Sequence, residues 1–102
     1  MAEWVRVCAA AELPAPGTVG QFAAAGVDVC LANMDGELSA MDNWCPHRQG
    51  PLGEGWIEGN AVVCPWHAWA FDCRTGECLE ENSRVKVFPL KQEGGDVLVN
   101  LH

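Results

Sequence analysis

Two short stretches in the middle of the chain carry side chains that could hold a metal. Cys45 and His47 are spaced C-x-H, and Cys64 and His67 are spaced C-x-x-H, with sixteen residues between His47 and Cys64. Each pair offers one thiolate and one imidazole. A loop tip with such close spacing can aim both side chains at one centre, and two facing tips would supply two Cys and two His. Tetrahedral zinc also accepts Cys2His2, but zinc sites usually put about two to four residues between the two Cys and about three to five between the two His. Here each Cys is paired with a His. That suits a centre with two iron atoms of unequal ligation, one held by both Cys and the other by both His. A structural zinc module that binds a partner without redox chemistry stays the alternative.

The electronic reason for His follows from charge. Exchanging two anionic thiolates for two neutral imidazoles removes negative charge, so an added electron meets less repulsion. The potential then rises above the roughly −400 mV of an all-Cys plant-type cluster. The second ring nitrogen of each His is more acidic when the iron is oxidised, so the potential is expected to fall as pH rises.

The residues around the four candidates are more specific than the spacing alone. The run Cys64-Pro65-Trp66-His67-Ala68-Trp69-Ala70-Phe71-Asp72 is followed by Arg74-Thr75-Gly76-Glu77, and the first stretch reads Cys45-Pro46-His47-Arg48-Gln49-Gly50-Pro51-Leu52. From about Trp4 to the C-terminus the chain resembles the Rieske iron–sulfur family. It is most similar to the nitrite reductase small subunits and to the Rieske ferredoxins that feed ring-hydroxylating dioxygenases. The resemblance implies one Rieske 2Fe-2S cluster held by Cys45, His47, Cys64 and His67. It implies an all-β fold, an antiparallel sandwich or barrel, with a cluster-binding subdomain of two loops at about 44–52 and 64–71. It also implies a one-electron carrier, not a catalyst on its own. Its partners would be a flavin reductase and a terminal oxygenase, or the large subunit of an NAD(P)H-dependent nitrite reductase.

Some positions depart from the family. Respiratory Rieske proteins carry an extra Cys in each cluster loop, joined as a disulfide, and the matching positions here are Gly50 and Trp66. Those proteins also place Ser and Tyr hydroxyls near the cluster sulfurs, whereas Ala68-Trp69-Ala70-Phe71 has no hydroxyl and the chain contains no Tyr. Fewer hydrogen bonds to sulfur destabilise the reduced, more negative cluster, so the resemblance implies the low end of the Rieske range, roughly −150 mV. Gln49 and Ala68 stand where relatives usually have Gly. Ala tolerates positive φ poorly, so the second loop is expected to be shaped differently there.

The elements that must position these residues read as short strands. Residues 4–8 alternate, with Val5 and Val7 on one face. Residues 9–17 form a connector with Pro14 and Pro16 and one helical turn at its Ala-rich start. Strands at 19–23 and 27–33 are joined by a turn at Ala24-Ala25-Gly26. Asp35-Gly36 marks a hairpin, and residues 38–43 return toward Cys45. Gly53, Gly55 and Gly59 punctuate the link to a strand at 61–63 that feeds Cys64. Residues 71–79 form a further hairpin. Strands at 85–88 and 97–99 are expected to pair across Glu93-Gly94-Gly95-Asp96. Short strands with Gly turns indicate an all-β sandwich or barrel.

The chain of 102 residues suits one domain spanning 1–102. Its net charge of −8, from 14 acidic and 6 basic residues, argues against nucleic acid or an anionic membrane as partner. No signal peptide or apolar membrane span is visible, so a cytoplasmic location is expected. Of six Cys, two are candidate ligands. Cys8 and Cys30 read as small buried hydrophobes. Cys73 and Cys78 flank a turn and are expected as two thiols on a hairpin; pairing across the turn could bring them within disulfide reach. Trp66 and Trp69 are expected to pack the second loop, Trp44 and Trp56 the loop bases or core. Pro51 and Leu52 are expected to cover the cluster.

Overall fold

The structure is a computed structural model that describes residues 4–45, 50–66, 68–79 and 83–101. The strands in chain order are β1 (Trp4–Ala9), β2 (Thr18–Ala24), β3 (Val27–Met34), β4 (Glu37–Asp42), β5 (Trp56–Glu58), β6 (Ala61–Val63), β7 (Ala70–Asp72), β8 (Val87–Phe88), β9 (Leu90–Glu93) and β10 (Asp96–Asn100). Two 3-10 turns, Ala10–Glu12 and Leu52–Glu54, complete the regular structure. The strands form three antiparallel sheets, ordered β1-β10-β9, β2-β3-β4-β8 and β5-β6-β7.

The four-stranded sheet is the centre of the molecule because both of its faces are buried. Successive side chains of a strand point to opposite faces. Val29 and Leu31 of β3, with Ala40 of β4 and Phe88 of β8, join Val97 and Val99 of β10 in one core. Cys30 and Ala32 of β3, with Met41 of β4, join Val62, Phe71, Cys45 and Cys64 in a second core. A strand buried on both sides needs a continuous apolar run, and residues 29–32, Val-Cys-Leu-Ala, supply one with no exposed surface. Cys8 and Cys30 are both buried, as expected of small hydrophobes.

Turns set the registers. The β2–β3 turn places Ala25 at φ 49° and Gly26 at φ 82°, and the β3–β4 turn places Asp35 at φ 53° and Gly36 at φ 103°. Two successive positive φ values match the twist of the flanking strands. Asn33 ties this hairpin to the connector: its Nδ2 donates to the Pro14 carbonyl (2.9 Å) and its Oδ1 accepts from Gly36 N–H (2.7 Å). In β1 the register shifts between Arg6 and Cys8. That bulge breaks strict alternation, so Val5, Val7 and Cys8 all face the same core.

The last strand pair differs from the sequence expectation. β8 leaves the loop and pairs with β4, whereas β10 pairs with β1 and β9. Pro89 lies between β8 and β9 and has no N–H to donate, so the chain changes sheets there; its carbonyl accepts from Asn100 N–H at 3.0 Å. β5 was not legible as a strand, because it is only three residues, Trp56-Ile57-Glu58, set between Gly55 and Gly59.

The turn after β7 is built by Asp72, whose Oδ1 accepts from the Arg74 and Thr75 N–H groups at 2.8 and 3.2 Å. The register sets Cys78 opposite Phe71, not opposite Cys73. Cys73 instead lies beside Cys30 and Ser39 in the second core. Gly76 closes the turn at φ 80°, and a Cβ there would collide with the Val85 carbonyl. Replacing Gly76 by Ala therefore combines a left-handed φ with a backbone clash. It is expected to cost about 2 kcal/mol or more, read as a lower denaturant midpoint.

Burial pushes the Cys30 thiol up from its ordinary value of 9.0 to about 12, with the neighbouring Cys73 adding to the effect. Ionisation therefore favours the unfolded chain. The contribution of Cys30 is complete below pH ~9 and falls by about 1.4 kcal/mol per pH unit above it, until the buried thiol itself ionises. Denaturation series from pH 8 to 11 are expected to show this decline, and Cys30→Ala is expected to make it shallower, the rest coming from Cys8 and Cys73, whose thiols burial also pushes up.

Candidate metal centre

The first loop grows out of the end of β4. Asn43 is completely buried, and its backbone groups and side-chain oxygen have backbone partners, while its Nδ2 has none among the described residues. Its N–H donates to the Asp28 carbonyl (3.1 Å), its carbonyl accepts from Leu52 N–H (2.7 Å), and its Oδ1 accepts from Gly53 N–H (2.8 Å). Trp44 bridges to Pro51, and Cys45 N–H donates to the Gly50 carbonyl at 2.9 Å. The loop is thus a hairpin tip with Cys45 on one leg and Gly50 on the other. Gly53 has no room for a side chain, since a Cβ would sit 2.7 Å from both Asn43 Oδ1 and Gln21 Cβ. Neither Asn43 nor Gly53 had been singled out from sequence as an anchor. The available signal was a polar residue at the end of an otherwise apolar strand.

The second loop is the tip between β6 and β7. Cys64 N–H donates to the Trp69 carbonyl (2.8 Å) and Ala68 N–H donates to the Cys64 carbonyl (2.9 Å). Ala68 takes φ 58°. The loop therefore keeps the left-handed residue that Gly would supply and carries it on Ala, at a steric cost of roughly 1–2 kcal/mol.

Both tips converge. Cys45 and Cys64 have no exposed surface and share one core with Leu52, Met41 and Phe71. A Cβ on Gly50 would lie 2.5 Å from the Cys64 sulfur, so the first loop leaves room for that sulfur only because residue 50 is Gly. A metal bound between the two tips would take up the charge of two cysteine ligands in this apolar core. Leu52 belongs to the same core, and Pro51 beside it is buried. His47 and His67 lie outside the described residues, as do Pro46, Arg48 and Gln49. Among the described residues no group of three or more His, Cys, Asp or Glu could hold a metal ion. Of the four candidate ligands, Cys45 and Cys64 are the two that the structure describes.

The tryptophans divide. Trp69 is partly buried against the second core. Trp44 and Trp56 are not core: they are 39% and 43% exposed, and their indole N–H groups donate to Asp28 and Glu58 carboxylates. Trp66 is 63% exposed. Among the described residues the ion pairs are exposed, Arg6–Asp96 and Arg74–Glu37 being the shortest that join distant parts of the chain, so they add little stability. No helix among the described residues is long and apolar enough to cross a membrane.

Comparison with known proteins places this geometry. Residues 3–91 match the family model for the Rieske [2Fe-2S] domain. The ferredoxin component of the naphthalene 1,2-dioxygenase system of Pseudomonas aeruginosa is 32% identical over 101 residues, covering 97% of this chain and 96% of that protein. The ferredoxin of carbazole 1,9a-dioxygenase from Nocardioides aromaticivorans superposes with a TM-score of 0.84 at 28% identity, covering 95% and 96% of the two chains. A structure described as an NADH-dependent nitrite reductase small subunit from Mycobacterium tuberculosis superposes with a TM-score of 0.86 at 25% identity, covering 97% and 95%.

Ala68 provides a test of the second loop. Gly at this position removes the left-handed strain but adds freedom to the unfolded chain, an offset of about 0.4–1 kcal/mol. Ala68→Gly is expected to stabilise the fold by about 0.5–1 kcal/mol, measured as a raised denaturant midpoint.

Proposed function

The chain belongs to the Rieske 2Fe-2S family, and on that premise we propose that it is an independent ferredoxin that passes single electrons from a flavin reductase to a terminal oxygenase. Its cofactor is one Rieske-type 2Fe-2S cluster, which takes up and releases one electron when bound. In this reading Cys45 and Cys64 hold one iron and His47 and His67 the other, within one domain spanning 1–102. The observation that carries it is the pair of buried cysteines at the tips of two hairpins that share one core. Support for a separate carrier comes from the match to the naphthalene dioxygenase ferredoxin component along nearly the whole of both chains.

The chain's own residues do three things toward that role. Backbone bonds within each tip hold the two cysteines on fixed legs, so little rearrangement accompanies a change of charge. Pro51 and Leu52 keep water from the sulfur side. The stretch 68–71 brings no hydroxyl to the sulfurs, which supports a potential at the low end of the Rieske range. A cytoplasmic location belongs to the same reading, since reduced buried thiols suit a reducing compartment.

A second reading has its own observation. The likeness to the nitrite reductase small subunit, with a TM-score of 0.86, fits a non-catalytic subunit docked on an NAD(P)H-dependent nitrite reductase. Copurification from the native cell separates the two: an oxygenase with a flavin reductase on one side, a large nitrite reductase subunit on the other.

Protein purified without oxygen is expected to contain about two irons and about two acid-labile sulfides per chain. Colourless protein holding zinc in place of iron would reverse the reading. His67→Cys is expected to lower the potential by on the order of 100 mV, toward the all-thiolate range, and to change the electron paramagnetic resonance spectrum. An unchanged spectrum would remove His67 from the ligand set.

A further inference from the structure

The two loops make close contact at Gly50. Each is closed by its own backbone bonds, Cys45 to Gly50 in the first and Cys64 to Trp69 in the second. Those bonds hold each tip in shape but do not hold one tip to the other. At Gly50 the first loop runs against the second: a Cβ built there would lie 3.2 Å from Trp66 Cγ and 3.3 Å from Trp66 Cδ2, as well as 2.5 Å from the Cys64 sulfur. The indole therefore lies on the bare α-carbon of Gly50. Gly50 is buried, whereas Trp66 is 63% exposed. The inner part of the indole covers the seam between the loops and the outer part faces water.

We propose that Trp66 is a positioning residue, a non-covalent clamp whose indole presses the first cluster loop onto the second at Gly50 and shields the Cys64 sulfur from water. The inference rests on the cluster-carrying reading above. An indole suits the task because a flat ring covers a large area at little conformational cost. Gly50 suits it because any side chain would occupy the space of the ring and of the sulfur together. Two loops that each hold part of one centre lose it when they separate. The clamp therefore acts on cluster retention, and on potential through the access of water to sulfur.

The test compares Trp66→Ala, Trp66→Phe and Gly50→Ala with the parent chain, all as isolated. The readouts are the rate of iron loss to a ferrous chelator, the midpoint potential, and the rate of tryptic cleavage after Arg48 in the first loop. Trp66→Ala is expected to lose iron roughly tenfold faster, to shift the potential upward as water reaches the sulfur, and to be cut faster. Trp66→Phe, which keeps a flat ring, is expected to restore most of all three. Gly50→Ala is expected to shift them in the same direction as Trp66→Ala. The clamp is overturned if Trp66→Ala matches the parent in iron loss and tryptic rate, or if Trp66→Phe is as impaired as Trp66→Ala. Preparations of the parent chain that contain no iron would overturn the proposed function alone. The clamp would then stand or fall on the tryptic rates, by the same comparison.

Discussion

The structure depends on one sheet that is buried on both faces. β3 sends Val29 and Leu31 into one core and Cys30 and Ala32 into the other. Each fully buried aliphatic side chain contributes roughly 1.5–3 kcal/mol, so losing either face would remove a large part of the stability of so small a protein. The first core joins the sheet to β1, β9 and β10. The second joins it to β5, β6 and β7, and Cys45 and Cys64 belong to that core. Cys45 and Cys64 are therefore fixed by the same packing that holds the molecule together.

Polar groups enter this interior at only two buried side chains among the described residues, Asn33 and Asn43. Both are placed at strand ends: Asn33 spends both ends of its amide on backbone groups, whereas Asn43 spends its Oδ1 on Gly53 N–H and leaves its Nδ2 without a partner among the described residues. Each bond made offsets the desolvation of the atom that makes it. Asn43 links the end of β4 to the far leg of the first loop, so the strand and the loop move as one body. A redox centre benefits from this, because a stiff ligand frame changes little when one electron is added or removed.

The loops depend on the absence of side chains as much as on their presence. Gly50 leaves room for the Cys64 sulfur and the Trp66 ring, Gly53 for Asn43 and Gln21, and Gly76 for the Val85 carbonyl. Ala68 shows the converse: it carries a left-handed φ with a side chain in place. The strain is tolerated where β6 and β7 fix both ends of the tip.

The donor types and their spacing, the hairpin turns at Asp35-Gly36 and Gly94-Gly95, and the apolar run of β3 were determined by the chain's order of residues. These are local properties: a turn needs two residues that accept positive φ, and a ligand pair needs two or three positions. Strand partners were not local. Nothing near 85–88 states that β8 pairs with β4 while β10 turns to β1 and β9; the change of sheet at Pro89 follows from which faces remain to be covered. Exposure of Trp44 and Trp56 was likewise decided by neighbours, since an indole reads the same in a core or at a surface with a carboxylate in reach. Gly50 and Trp66 read in sequence as two positions lacking a disulfide, and only the folding of one loop onto the other made them a contact. Residues far apart in the chain meet according to the packing of whole sheets, and no window of sequence contains that information.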